Sequence, residues 1–248
     1  MGYAHDTVQS IDAGDSPDAI VCLHGWCCRT GDFADQVDSN SDRFRLLVPD
    51  WQRRLSRRDG SCSFEGICRD IIGCIEAAGI SRPLLVGHSL GGFLATQIVF
   101  EHQLPVRGLL VLDSALPLPE AYRVQWSRAA DRLEQGPYVQ ACTDFVEPFF
   151  VDAERGPLEQ SIVEGMVGQP PGTAIGLLRE ICRHEWDHEL DRIDTPVHMV
   201  ASGRGALDMK AFHAHVPDAT SERIEESGHF ITVFHPDRVG QTMRRMMR

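Results

Sequence analysis

Positive charge is in short supply in this 248-residue chain: 36 acidic side chains face 24 basic ones, for a formal net charge of -12. That balance repels phosphate backbones and anionic lipid surfaces, so no nucleic-acid partner is expected. Long apolar runs are lacking as well. None approaches the roughly 20 residues of a membrane span, so no membrane partner is expected either. The opening residues Met1-Gly2-Tyr3-Ala4-His5-Asp6 have no basic cluster and no apolar stretch of the kind that directs export, and a cytoplasmic location is the expectation. Eight cysteines are present, yet no C-x-x-C pair occurs among them, and in a long chain without an export signal they read as reduced thiols. Repeats and low-complexity tracts are missing too.

The remaining composition, 42% hydrophobic and 24% charged, suits a globular protein able to bury a sizeable core. The length suits one large α/β domain with a small insertion. Apolar strand-like runs alternate with helix-like segments, the pattern of a mostly parallel sheet with helices on both faces. Strands are expected at Ala19 to Leu23, Phe44 to Val48, Pro83 to Val86, Gly108 to Leu112, Pro196 to Ala201 and Ser221 to Glu225. Phe64 to Ala78 carries Ile67, Ile71, Ile72 and Ile75 at helical spacing, and Gly79 sits where a glycine closes a helix. Leu90 to Glu101 reads as a second helix, Ser202 opens a loop, and a closing helix starts at Pro236. Between residues 118 and 188 the alternation gives way to helix-like segments rich in large apolar side chains. They imply a helical cap inserted into a core made of residues 1–117 and 189–248.

Where the Pro83 to Val86 run ends, the chain reads Gly87-His88-Ser89-Leu90-Gly91-Gly92. A serine in a sharp strand-to-helix turn needs almost no side chain two positions before and after it, and Gly87 and Gly91 meet that need. The helix that follows offers unpaired N–H groups to a developing oxyanion. Two further motifs accompany this nucleophile elbow: His24-Gly25-Trp26 after an early strand and Gly228-His229-Phe230 ahead of the last helix.

Over nearly the whole chain, these three motifs in this order resemble the α/β-hydrolase superfamily. The resemblance implies an α/β-hydrolase fold and a serine hydrolase that cleaves a small carboxylic ester, thioester or lactone. Ser89 would be the nucleophile, His229 its base and acid, and the backbone N–H groups of Trp26 and Leu90 the oxyanion hole. The expected partner is a small-molecule substrate, with no cofactor; oligomeric state has no signature. His88, Trp126, Phe145, Phe149 and Trp186 are candidates for the substrate pocket, with Phe150 as a further aromatic of the cap.

The chain departs from the family pattern at the triad acid. Relatives place it three residues after the glycine that ends the Pro196 to Ala201 strand, which here is Ala206, counted from Gly203. Two carboxylates remain as candidates: Asp208 in the same loop, and Asp113 at the end of the Gly108 to Leu112 strand. A second departure is Pro49-Asp50-Trp51-Gln52-Arg53-Arg54, where relatives carry a glycine-containing turn. The basic run Arg53, Arg54, Arg57 and Arg58 reads as a solvated face or as an anion contact.

Two rival readings stand beside this one. His184-Glu185-Trp186-Asp187-His188 matches the helical zinc pattern H-E-x-x-H, but a chain with 11 histidines meets that pattern by accident, and no metal is expected. The stretches Gly25-Trp26-Cys27 and Phe44 to Trp51 are also similar to cofactor-independent dioxygenases that open 3-hydroxy-4-quinolone rings. In those a His-Asp pair, here His229 and Asp113, deprotonates the substrate. Leu90 follows the serine as in hydrolases, where that resemblance implies histidine.

Overall fold

The computed structural model describes residues 10–52, 62–102, 104–185, 190–205 and 208–248. Seven strands form one sheet: β1 (Ile11–Ala13), β2 (Ala19–Leu23), β3 (Arg45–Val48), β4 (Leu84–His88), β5 (Gly108–Leu112), β6 (Val197–Ser202) and β7 (Thr220–Ile224). Their order is β1-β3-β2-β4-β5-β6-β7, with β1 antiparallel to β3 and every other pairing parallel. Strands β2, β4 and β5 are buried along their whole length, as continuous apolar runs in a sheet covered on both faces require.

Alternate residues of each strand feed opposite layers. Val21, Leu85, Val111 and Met199 face α2 (Phe64–Ala77) and α3 (Leu90–Glu101). Ile20, Val86, Leu110 and Val200 face α1 (Ala34–Asn40) and the closing helix at Pro236–Met246. Helix α2 forms as its periodicity predicts: Ile67, Ile71 and Ile75 are buried, and Ser63 Oγ caps the start by accepting from Gly66 N at 3.2 Å. It ends in a Schellman motif in which Ile80 N donates to Ile75 O and Gly79 N to Glu76 O, with Gly79 at φ +69°.

Between β5 and β6 the chain leaves the sheet and, among the described residues, forms the α-helices α4 (Glu120–Gln135), α5 (Tyr138–Val146), α6 (Pro157–Val167) and α7 (Pro171–Arg183). Ala130, Leu133, Val146, Met166, Leu177 and Leu178 continue the apolar layer of α2 and α3, so these helices share the core. After β6 come α8 (Met209–His215), β7, the short α9 (Ile231–Phe234) and α10 (Pro236–Met246).

Four elements are additions to the expected set, among them the one-turn α9 in the loop expected between His229 and Pro236. Strand β1 has only three residues at the sheet edge, too few for an alternation to register. Helix α1, Ala-Asp-Gln-Val-Asp-Ser-Asn, has little apolar periodicity and is held by tertiary contacts such as Gln36 Nε2 to Thr232 O at 2.8 Å. Helix α8 stands where a loop was expected. Strand β4 also runs two residues past its expected end, because Gly87 pairs with Leu23 and Val111 and His88 with Leu112. All eight cysteines are free thiols, and no described helix is long and apolar enough to cross a membrane.

The elbow depends on backbones that nearly touch. A Cβ at Gly91 would collide with the Leu23 carbonyl oxygen, and one at Gly87 with the backbone of Gly91 and Gly92. Gly91→Ala is therefore expected to lower stability by about 1–3 kcal/mol, the usual cost of overpacking. Urea denaturation followed by circular dichroism measures this, and a wild-type midpoint would contradict it.

Candidate active site

Ser89 stands at φ +53°, between the last residue of β4 and the first of α3. Its N–H donates to Leu112 O at 2.9 Å and its carbonyl accepts from Ser114 Oγ at 2.7 Å, which clamps the turn on both sides. Gly92 leaves room for that hydroxyl, since a Cβ there would collide with Ser114 Oγ. Leu90 is the first residue of α3, where helical geometry leaves the N–H without an intrahelical partner. The loop after β2 passes directly over the serine: a Cβ on Gly25 would lie 3.1 Å from Ser89 Cβ. Trp26, next in that loop, is buried and donates its Nε1–H to Ala174 O on α7 at 2.8 Å.

His229 Nδ1 lies 2.7 Å from Asp113 Oδ2. A carboxylate accepts only, so the Nδ1 position carries the proton and Nε2 is left as the basic nitrogen. Asp113 is 4% exposed and also accepts from Ser202 N at 2.7 Å and Ser202 Oγ at 2.9 Å. Burial alone would push its carboxyl up, but the bonds from His229 and Ser202 outweigh that and hold it below the ordinary carboxylate value. Gly205 makes the close approach possible, since a Cβ there would strike Asp113 Oδ1. Asp208, the other acid candidate, accepts from Ala211 N at 3.0 Å as the N-cap of α8, and so satisfies a helix end instead of the imidazole. Ala206 lies outside the described residues.

His229 packs against His88, the residue that precedes the serine. The two rings are 4.8 Å apart, and His88 Nε2 donates to His229 O at 2.9 Å. His88, expected to line a pocket, is only 1% exposed and instead supports the His229 backbone. No hydrogen bond joins Ser89 Oγ to the His229 ring among the described residues; such bonds commonly tighten only around substrate. The His229 loop is also tied to the inserted helices, with His229 N donating to Phe149 O at 2.7 Å and Gly228 N to Glu154 Oε1 at 2.8 Å. Glu154, Ser114, Ser202 and Gln52 are functional contacts with no sequence motif. Gln52 Oε1 accepts from Cys27 N at 3.0 Å and its Nε2 donates to Gln169 Oε1 at 2.9 Å.

The aromatic candidates separate into two groups. Phe149 packs against His229 with ring centroids 5.0 Å apart, and Phe145 meets Trp26 edge-on at 5.4 Å, so both flank the centre. Phe150 is buried and stacked on Phe230 at 4.8 Å, which makes it a packing residue, while the half-buried Trp126 pairs with Tyr122 at 6.0 Å and has no ring contact with Trp26 or His229 among the described residues. Trp186 and His188 lie outside the described residues, as do Arg53, Arg54, Arg57 and Arg58. Among the described residues no cluster of three or more His, Cys, Asp or Glu could hold a metal ion.

Cys27, Ser89 and Asp113 are the non-glycine residues with positive φ among the described residues, at +54°, +53° and +46°. Each costs about 1–2 kcal/mol relative to relaxed backbone, and all three converge on this one spot. A half-buried elbow serine, an imidazole oriented by a buried carboxylate and a helix N-terminus are the kinds of group that nucleophilic hydrolysis requires.

Residues 20–242 match the model of the alpha/beta hydrolase family, and the chain belongs to that family. It is 27% identical over 172 residues to RutD of Escherichia coli, a protein assigned as a carbamate hydrolase. The match covers 66% of this chain but 62% of RutD, so the chain spans less than two thirds of that relative. An esterase from Thermogutta terrifontis superposes with a TM-score of 0.82 at 18% identity, covering 96% of this chain and 92% of that one. The enol-lactonase from Burkholderia xenovorans superposes with a TM-score of 0.81 at 16% identity, covering 96% and 95%.

Two buried histidines give this centre a pH signature. Burial pushes His24 down to about 4 and His88 down to about 3 from the usual 6.5. Between pH 6.5 and about 4 the unfolded chain therefore takes up protons that the folded chain refuses, and stability falls as pH is lowered through that window. Below it, protonation of Asp113 removes a further contribution. Urea midpoints measured from pH 7 to 4.5 are expected to fall steadily. His24→Phe, which keeps a ring stacked on Trp51 at 4.7 Å in the native protein, should flatten that slope by about one proton.

Proposed function

We propose that this alpha/beta hydrolase cleaves a carboxylic ester, thioester or lactone of modest size through an acyl-enzyme on Ser89. Ser89 Oγ attacks the carbonyl carbon while His229 Nε2 takes its proton. The tetrahedral intermediate collapses, the bond to the leaving group breaks, and His229 returns the proton to the departing oxygen or sulfur. Water, deprotonated by the same nitrogen, then releases the acid and regenerates Ser89. Asp113 holds the imidazole in the required tautomer and stabilises its charged form. The amides of Trp26 and Leu90 receive the oxyanion; losing one such donor costs about 3 kcal/mol of transition-state stabilisation.

The single observation that supports this reading most is the 2.7 Å bond from His229 Nδ1 to a buried Asp113, beside an elbow serine. A groove of about 700 Å³ between α4 and α5 has Phe145 and Phe149, the rings that touch Trp26 and His229, at one side and Arg128, Arg132 and Asp144 elsewhere in its lining, so it offers an apolar part of a small substrate a place beside polar groups. We take residues 118–188 as a cap over this centre, and the eight free thiols favour a reducing compartment such as the cytoplasm.

A fluorophosphonate probe is expected to label the wild type and not Ser89→Ala. With a p-nitrophenyl ester series, Asp113→Asn should lower kcat roughly a thousand- to ten-thousandfold. Asp208→Asn, which keeps the helix cap, should change it by less than about twofold. An unlabelled Ser89 with no ester turnover would overturn the reading and favour the oxygenase, which uses His229 and Asp113 as base without an acyl-enzyme.

A further inference from the structure

The loop that carries the Trp26 amide is a tight turn. Cys28 N donates to Gly25 O at 3.2 Å, and Cys27, the third residue of that turn, stands at φ +54°. Positive φ at the third position is what a type II turn demands and what glycine normally supplies. A cysteine there would relax by rotating the Trp26–Cys27 peptide over, which converts the turn to type I and returns its φ to negative values. The group that opposes this rotation is visible. The Cys27 N–H points at Gln52 Oε1, 3.0 Å away, and Gln52 is 4% exposed, so the lost bond would go unreplaced by bulk water.

Gln52 is itself held from the other side. Its Nε2 donates to Gln169 Oε1 at 2.9 Å, in the segment between α6 and α7. The turn is fastened to the inserted helices once more by Trp26 Nε1 to Ala174 O at 2.8 Å, and the residue after it, Arg29, reaches Ser161 Oγ with Nη2 at 3.4 Å. A second strained residue therefore sits between the catalytic serine and the inserted helices, with one buried amide side chain bridging the two.

We propose that Gln52 is a positioning residue that locks the Trp26–Cys27 peptide in its strained orientation; the Trp26 N–H lies on the preceding Gly25–Trp26 peptide, so Gln52 sets its oxyanion-binding position indirectly, by fixing the Trp26 ψ within the Gly25–Cys28 turn and tying that turn to the inserted helices through Gln169. For its kinetic consequence the inference rests on the hydrolase reading above. The bond that matters is an acceptor on Cys27 N–H, so a carboxylate at position 52 serves where an alkyl group does not. Gln169 then meets the change by turning its amide to donate.

The test compares Gln52→Leu with Gln52→Glu, using p-nitrophenyl acetate and active sites counted by fluorophosphonate titration. Gln52→Leu is expected to lower kcat per active site about ten- to a hundredfold, with KM within about twofold, as for a weakened oxyanion hole. Gln52→Glu should recover most of that loss. A crystal structure of Gln52→Leu should show the peptide turned over and Cys27 at negative φ. If Gln52→Leu does not fold, Gln52→Asn, one methylene shorter, takes its place. Wild-type kcat per active site in the variant, Cys27 still near its native φ, or a Gln52→Glu variant as slow as Gln52→Leu would each overturn the proposal. Should the wild type itself be inert toward esters and probe, the hydrolase reading falls, and the orientation of the Cys27 peptide alone decides this one.

Discussion

Everything at this centre depends on how closely the backbone of β4 and α3 can approach its neighbours. Gly87, Gly91 and Gly92 each lack the one atom that would meet Gly91, the Leu23 carbonyl or Ser114 Oγ. Only with those atoms missing can the chain reverse within one residue and hold Ser89 at φ +53°. The strain this stores is local, but what sustains it is not. Leu112 O and Ser114 Oγ, both from the end of β5, hold the two peptide groups that flank the serine. The sheet pairing of β4 with β5 is therefore also the clamp on the elbow, and buried strand edges set the geometry of the half-buried Ser89.

The same end of β5 supplies Asp113, the carboxylate bonded to His229. Asp113 N donates to Val200 O at 2.8 Å, which carries the β5–β6 ladder one step beyond the strand and leaves the side chain pointing across the sheet end. Ser202, at the end of β6, then gives both its N–H and its hydroxyl to that carboxylate. Asp113 with Ser202 thus joins two strand ends, and neither end would orient His229 alone. Three charge-assisted donors keep the carboxylate ionised despite its burial, which an isolated buried acid would resist.

How much of this was legible in the sequence follows from the range of each interaction. The elbow, the helix α2 with its Ser63 cap and Gly79 terminus, and the long buried strands all express local rules, steric or periodic, and each was readable from a few consecutive residues. Which carboxylate serves His229 was not, because Asp113 and Asp208 differ only in which strand end crosses the sheet toward the ring. The supporting bonds were least legible of all: Gly228 to Glu154 spans 74 positions, Asp113 to Ser202 spans 89, and Gln52 to Gln169 spans 117. Nothing distinguishes Glu154 in sequence from the other acidic residues of this chain. His88 is a related case: it stands next to the half-buried Ser89, but its own ring is buried, a difference that the pleat of β4 makes and adjacency in sequence does not reveal.

The inserted helices therefore do more than cover the sheet. Phe149 O and Glu154 hold the loop that presents His229, while Ala174 O and Gln169 hold the loop that presents the Trp26 amide. The His229 loop and the Trp26 loop, contributed by opposite ends of the chain, are thus tied to one connected group of helices whose apolar faces share the core of α2 and α3. Rigid shared packing keeps these loops in register with a serine fixed independently by the sheet. A displacement of the helices by one bond length would have to break buried hydrogen bonds in both loops, each with no water to replace it, and that cost, paired with the shared core, is what makes the two halves of the centre a single mechanical unit.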